Sequence, residues 1–140
     1  MAQAVVTTAE VAQLLDDLVD RVAAAEHAVA LSPDGLLLAA SRQVDSELAD
    51  QISSVVAGLQ ALALAASRHC QTGAVRQIIV QMAEAFLFIA ATPGGAIITV
   101  RFVDDADVDD IAYQVALFAG KADRYLPTFP EVAQPRTSDG

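Results

Sequence analysis

The segment from Asp45 to Cys70 constrains the fold most, because it predicts one long helix with two different apolar sides. No charged residue occurs between Asp50 and Arg68, whereas a surface helix of a small monomer needs one apolar side with charges opposite it. At helical spacing, one side carries a broad and mostly bulky stripe: Leu48, Ile52, Val55, Val56, Leu59, Leu62, Ala63 and Ala66. Another side carries the small residues Ser54, Gly58, Ala61 and Ala65.

We expect the bulky stripe to pack on the protein's own sheet and the small stripe to let a second helix approach closely. The sequence contains no second helix of this kind, so the same helix of another subunit is the expected partner. The alternative is that Ala and Gly simply let the central helix lie close to its own sheet. We therefore predict an obligate dimer with the small residues at the helix contact.

Composition limits the class of protein and of partner. A chain of 140 residues is long enough for one domain with a sizeable core. A formal net charge of −10 with only 8 Lys and Arg argues against nucleic acid or an anionic membrane as partner. The single cysteine, Cys70, excludes an internal disulfide and favours a reducing cytoplasm.

Neither a secretion signal nor membrane insertion is predicted. The N-terminus lacks the basic-then-apolar pattern of a secretion signal, and residues 51–67 are too short and too polar to span a bilayer. We expect a cytoplasmic protein that reaches a membrane only through partners. Residues 1–126 are predicted to form the single domain, and residues 127–140, with three prolines, a disordered tail.

Hydrophobic periodicity and turn residues predict the element order α-β-β-α-β-β-β-α, an α+β fold with helices on both faces of a five-stranded antiparallel-type sheet. Thr7 and Glu10 form a capping box for the first helix. Ser32-Pro33-Asp34-Gly35 predicts a hairpin turn between strands 27–31 and 36–41. After the long helix, capped by Asp45 or Ser46, come strands 74–82, 86–91 and 96–102 and a last helix from Asp107.

Three helices are too few to cover both faces of this sheet. If the first and last helices share one face, the central helix alone is too narrow for the other. Strand 74–82 carries polar residues as an edge strand would, and an exposed edge needs a partner. A two-fold dimer would pair edge with edge and complete the sandwich. The predicted interface is Ser54, Gly58, Ala61, Ala65, Val75, Gln77, Ile79 and Gln81.

Four segments carry a family resemblance: residues 14–19 (LLDDLV), 27–41 (HAVALSPDGLLLAAS), 57–62 (AGLQAL) and 75–80 (VRQIIV). In this order they resemble the roadblock/dynein light chain family, in particular its bacterial MglB-like and conservon branch. The resemblance covers residues 10–125. It implies a roadblock-type sandwich and a homodimer that pairs the third strand and the central helix across its two-fold axis.

The resemblance also implies a function. Such a protein is a non-enzymatic regulator of a small Ras-like GTPase, which either stimulates GTP hydrolysis or acts as a scaffold. In the conservon branch it works beside a sensor-kinase-like protein. Two alternatives stay open: a small-molecule-sensing domain of the PAS or profilin-like kind, which needs a cavity with convergent polar groups, and a purely structural dimeric scaffold.

Residues that carry chemistry are few. The sequence has no phosphate-binding loop and no nucleophile elbow, and His69 and Cys70 project about 100° apart on a helix. The acidic run Asp104, Asp105, Asp107, Asp109 and Asp110 does not match a calcium-binding loop. We therefore predict no catalytic residue, metal or cofactor. Of the four arginines that could contact a GTPase, namely Arg42, Arg68, Arg76 and Arg101, we choose Arg68 and Arg76 for partner binding.

Overall fold

The computed structural model describes residues 2–103 and 105–132, with side chains from residue 9 onward. It confirms the predicted element order. The helices are α1 (Ala2–Arg21), α2 (Ser46–Cys70) and α3 (Val108–Ala122), which continues into a 3-10 turn at Asp123–Tyr125. The strands are β1 (Ala25–Leu31), β2 (Leu37–Ala40), β3 (Ile78–Gln81), β4 (Ala85–Ala91) and β5 (Ile97–Val103).

The five strands form one antiparallel sheet in the order β2-β1-β5-β4-β3. The predicted edge position of the third strand is confirmed, since β3 pairs only with β4. The strand is shorter than the predicted 74–82, because its ladder with β4 begins at the pair Ile78–Ile89 and ends at Gln81–Phe86. Val75 and Gln77 therefore precede the strand.

Helices cover the two faces unequally. α1 and α3 pack together on one face, over a core in which the rings of Phe86 and Phe102 stack with centroids 5.5 Å apart. α2 lies on the other face and contacts mainly β1 and β2. Ile78 and Val80 of β3 are only half-buried on that face. The prediction that one helix is too narrow for this face is confirmed.

The helix ends follow local capping rules, with one exception. The Asp45 carboxylate accepts a hydrogen bond from the Leu48 backbone N–H at 2.8 Å, and Asp107 caps α3 in the same way. The predicted capping box at the start of α1 is wrong, because the helix begins at Ala2 and Thr7 lies inside it. Residues 2–6 contain no helix breaker, so the helix extends past the expected cap.

The segment after Leu126 contacts the β4–β5 turn. The Phe129 backbone N–H donates to the Gly94 carbonyl at 2.7 Å, and the Val132 N–H donates to the Phe129 carbonyl at 3.0 Å. Residues 133–140, which belong to the predicted disordered tail, lie outside the described residues.

Candidate self-association and docking surface

The side of α2 that faces the sheet is not the bulky stripe. It consists of Ala49, Ser53, Val56, Ala57 and Gln60, all buried. The prediction that the bulky stripe packs on the protein's own sheet holds for Val56, which is buried, and partly for Ile52 and Leu59, which are half-buried against the same core. It is wrong for Leu48, Val55 and Leu62, which are exposed. Small residues let the helix lie close to the β1–β2 turn: a Cβ built on Gly35 would be 3.5 Å from the Ala57 Cβ. The small side chains on this side therefore allow the close packing that sets the rotation of α2.

The large side chains of α2 form an exposed flank instead. Leu48, Val55 and Leu62 are 42%, 61% and 71% exposed, and Ile52 and Leu59 between them are half-buried against the α2-side core. We call these five residues the α2 flank. A shallow apolar groove of about 250 Å³ separates the N-terminal half of the flank from Leu87 of β4. An exposed row of large apolar residues on one helix is typical of an interaction surface.

Uncovered sheet continues beyond this groove to the free edge. Leu87 pairs with Val80 of β3 on one side and with Arg101 of β5 on the other. Val80 and Leu87 are half-buried. The flank, this strip of sheet and the β3 edge form one continuous surface. The sequence did not indicate it, because the flank was expected to be covered internally.

The predicted small stripe lies on a different side of α2. Ser54, Gly58 and Ala61 are exposed and Ala65 is half-buried. A Cβ on Gly58 would meet no atom within 4 Å, whereas Gly35 of the β1–β2 turn lies close to Ser54. The stripe therefore lies outside the groove between α2 and Leu87, and its role in a dimer stays a prediction.

The other predicted interface residues are dispersed. Val75 is half-buried and Gln77 exposed, and both precede β3. Ile79 packs toward the core beneath α1 and α3, so it stabilises the subunit from the face opposite α2. Gln81 is exposed at the end of the edge strand.

The arginines fall into two groups. Arg42 pairs with Asp20 at 2.8 Å, and Arg101 with Glu26 at 2.7 Å. Arg68, near the end of α2, and Arg76, before β3, are exposed and have no ion pair with another described residue. Both side chains are accessible to a partner, and their role in partner binding stays a prediction.

His27 lies on the α2 side of the sheet, in the β1 position opposite Arg101. Burial lowers the pKa of His27 below its usual value of 6.5, and the Arg101 charge lowers it further, while Glu26 opposes both effects. The folded protein therefore favours neutral His27, and the unfolded chain binds the proton more readily. This contribution to stability is present above pH 6.5 and is lost as the pH falls below it.

We accordingly predict that the free energy of unfolding falls between pH 7.5 and about 5.5, and that the fall is smaller in His27→Gln. Urea unfolding at each pH measures it. His69→Gln is the matched control for loss of an imidazole, since His69 is exposed at the end of α2. An identical pH dependence in His27→Gln and the wild type would contradict the assignment.

Little else on the described surface supports chemistry. Among the described residues, no three His, Cys, Asp or Glu side chains converge as metal ligands. His69 and Cys70 are both exposed. α2 is the one described helix that is long and apolar enough to cross a membrane by length and composition. Its sheet side packs in the core with Ser53 and Gln60, and the absence of membrane insertion stays a prediction.

Comparison with known proteins supports the fold. A family model described as Roadblock/LC7 domain matches residues 11–102. The crystal structure of a Roadblock/LC7 domain from Streptomyces avermitilis is 30% identical, with a TM-score of 0.77 over 81% of this chain and 95% of that one. Myxococcus xanthus MglB is 12% identical with a TM-score of 0.75, covering 82% of this chain and 93% of its own.

The gliding protein MglB of Thermus thermophilus is 15% identical with a TM-score of 0.73, covering 85% of this chain and 90% of its own. The two MglB likenesses show a shared fold alone. None of the curated proteins matched the chain.

Proposed function

This chain belongs to the Roadblock/LC7 domain family, and from this we propose that it is a non-enzymatic homodimer that regulates a small Ras-like GTPase in the cytoplasm. One observation carries the self-association: the α2 flank continues across uncovered sheet to the free β3 edge. The GTPase is supported by family membership and by the MglB-like fold.

A second copy of the chain would cover each part of this surface. Two-fold pairing of β3 with its symmetry mate would supply hydrogen bonds to the unpaired edge. It would also bring the α2 flank of each copy over the strip that contains Val80 and Leu87. Full burial of a Leu or Val side chain contributes about 1.5–3 kcal/mol, so the three exposed members of the flank supply a substantial driving force.

The α2 flank thus replaces the small stripe as the proposed helix contact. A Cβ on Gly58 would meet no atom within 4 Å, and no residue of the small stripe lines the groove between α2 and Leu87. Burial of the flank in a dimer also accounts for a long apolar helix without membrane insertion.

For the GTPase we propose contacts at the ends of the dimer surface, where Arg68 and Arg76 are exposed. The net charge of −10 would favour a basic patch on the partner. A sensor-kinase-like protein is the proposed further partner in a bacterial signalling system.

The test is binding to the small Ras-like GTPase encoded nearest this gene, loaded with a GTP analogue and then with GDP, together with GTP-dependent phosphate release. Preference for the GTP form with faster release would establish a GTPase-activating regulator, and binding without acceleration would establish a scaffold. Arg68→Glu and Arg76→Glu should weaken binding, whereas Arg21→Glu, an exposed reversal on α1, should not. Absence of binding in both nucleotide states would overturn the proposal for that GTPase.

One feature favours small-molecule sensing as a second candidate. A cavity of about 230 Å³ lies beside the C-terminal half of α2, between Gln60, Leu64, Val75, Ile97 and Val132. Gln60 is the sole polar side chain among the described residues that line it, which is fewer polar groups than a specific site requires. A small molecule retained in native mass spectra of the purified protein would favour sensing, and its absence would favour the regulator.

A further inference from the structure

The outer side of α3 is a second unpartnered surface, on the sheet face opposite α2. Residues 111–120 contain no charge, although only one side of α3 faces the core. Tyr113 and Leu117 are 63% and 49% exposed. Ala116 and Gly120 beside them are also exposed, and a Cβ on Gly120 would meet no atom within 4 Å. An isolated amphipathic helix would carry charged residues here.

We propose that this side of α3 binds the same side of α3 in a second copy, with the two helices antiparallel. Residues three or four positions apart lie on the same side of a helix, so Tyr113, Leu117 and Gly120 form one row. In an antiparallel pair centred between Ala116 and Leu117, Tyr113 of each copy lies opposite Gly120 of the other. The large aromatic ring thus meets the position that has no side chain.

Charge determines the direction of the pair. Asp109 and Asp110 lie in the first turn of α3, and Lys121 and Arg124 lie at its C-terminal end. In the centred antiparallel register, Asp109 lies opposite Arg124 of the other copy. Asp110 lies opposite Asp123, whose carboxylate accepts a hydrogen bond from the Gly94 backbone N–H of its own subunit at 3.0 Å, and within one turn of the other Lys121. A parallel pair would place like charges together at both ends. Antiparallel pairing is therefore the complementary arrangement.

This contact is independent of the α2 flank. α2 and α3 lie on opposite faces of the sheet, so one subunit could use both surfaces at once. Two different two-fold contacts per subunit join dimers into larger assemblies. The proposed occupant is a second copy, since both the shape and the charge pattern of this side are complementary to themselves.

Charge reversal with complementation tests the contact in the full-length protein. Asp109→Arg and Arg124→Glu each convert two attractions per contact into repulsions, so each variant alone should associate about tenfold more weakly through α3. When the two variants are mixed, both 109–124 pairs in a contact between unlike variants are again oppositely charged. Sedimentation velocity between 1 and 200 µM, as chosen concentrations, should therefore show the larger species at about tenfold lower concentration in the wild type and in the mixture than in either variant alone.

Gly120→Leu provides an independent variant. It fills the position opposite Tyr113, while leucine favours the helix more than glycine does, so the fold is retained and association through α3 is reduced about tenfold or more. Leu36→Ser is the control, since Leu36 is exposed on the β1–β2 turn. Single variants that associate as the wild type does, or a mixture that does not recover, would each overturn the proposal. Failure of dimerisation through α2 alone would leave a wild-type dimer that Asp109→Arg dissociates to monomer. A wild type that stops at a dimer and keeps that dimer in Asp109→Arg would overturn the α3 contact.

Discussion

Replacing both Val55 and Leu62 by aspartate should convert the dimer into a folded monomer. Both side chains are more than half exposed in the subunit, so the substitutions remove little internal packing. In the proposed dimer they place four carboxylates in an apolar contact. Each lost side-chain burial costs about 1.5–3 kcal/mol, so the dissociation constant should rise at least about a thousandfold. Sedimentation equilibrium measures the mass, and far-ultraviolet circular dichroism confirms the fold.

Two comparisons make this result specific. Leu36→Asp introduces the same charge at a leucine that is 65% exposed on the β1–β2 turn, and it should leave the dimer intact. Gly58→Leu distinguishes the two sides of α2: it should be tolerated if the flank forms the contact and should release monomer if the small stripe does. A stable dimer in Val55→Asp/Leu62→Asp would contradict the α2 flank as interface.

The element order and the sheet could be predicted because they depend on local signals. Short apolar runs mark the strands, and the Ser32-Pro33-Asp34-Gly35 turn was identified from its residue types. Gly35 has a positive φ of 93°, which glycine adopts without steric cost. The edge position of β3 also followed from sequence, because polar residues surround a short apolar run.

The rotation of α2 could not be predicted from the same signals. The α2 flank and the small stripe both lack charge, so hydrophobic periodicity does not distinguish the internal side of the helix from an interface. The true internal side includes Ser53 and Gln60, which a hydrophobic pattern excludes. Ser53 is accommodated because its hydroxyl donates to the Ala49 carbonyl at 2.8 Å. The alternative that the small stripe seats the helix on its own sheet does not hold, because Ser54, Gly58 and Ala61 are exposed. Ala49 and Ala57, outside that stripe, face the sheet instead.

The candidate surface depends on tertiary placement for the same reason. Leu87 and Val80 are ordinary strand residues in the sequence, and their exposure arises only because α2 lies over β1 and β2. Ile79 shows the converse. Its position in an edge strand suggested an interface, but strand alternation directs it toward the α1 and α3 core. The sequence identified β3 as the edge strand, and the pleat of the sheet determines which of its residues face the proposed interface.

Gly95→Ala should lower the free energy of unfolding by about 1–3 kcal/mol, because two separate costs meet at this position. The φ angle of 102° is one that residues with a Cβ rarely adopt. The new Cβ would also lie 3.0 Å from both the Phe129 carbonyl oxygen and Val132 Cγ2. Urea unfolding of the two proteins at pH 7.5 measures the difference.

A second glycine substitution serves as the control, and a truncation separates the backbone cost at Gly95 from the steric cost. Gly58→Ala, in the interior of α2 with no atom within 4 Å of the new Cβ, should raise the free energy of unfolding by about 0.5–1 kcal/mol. Truncation after Leu126 removes the Phe129 and Val132 contacts, so Gly95→Ala in the truncated chain should retain the backbone strain and lose the steric cost. An equal penalty in the full-length and truncated chains would show that residues 127–132 do not pack on the β4–β5 turn in solution. No penalty in either chain would contradict the left-handed conformation at Gly95.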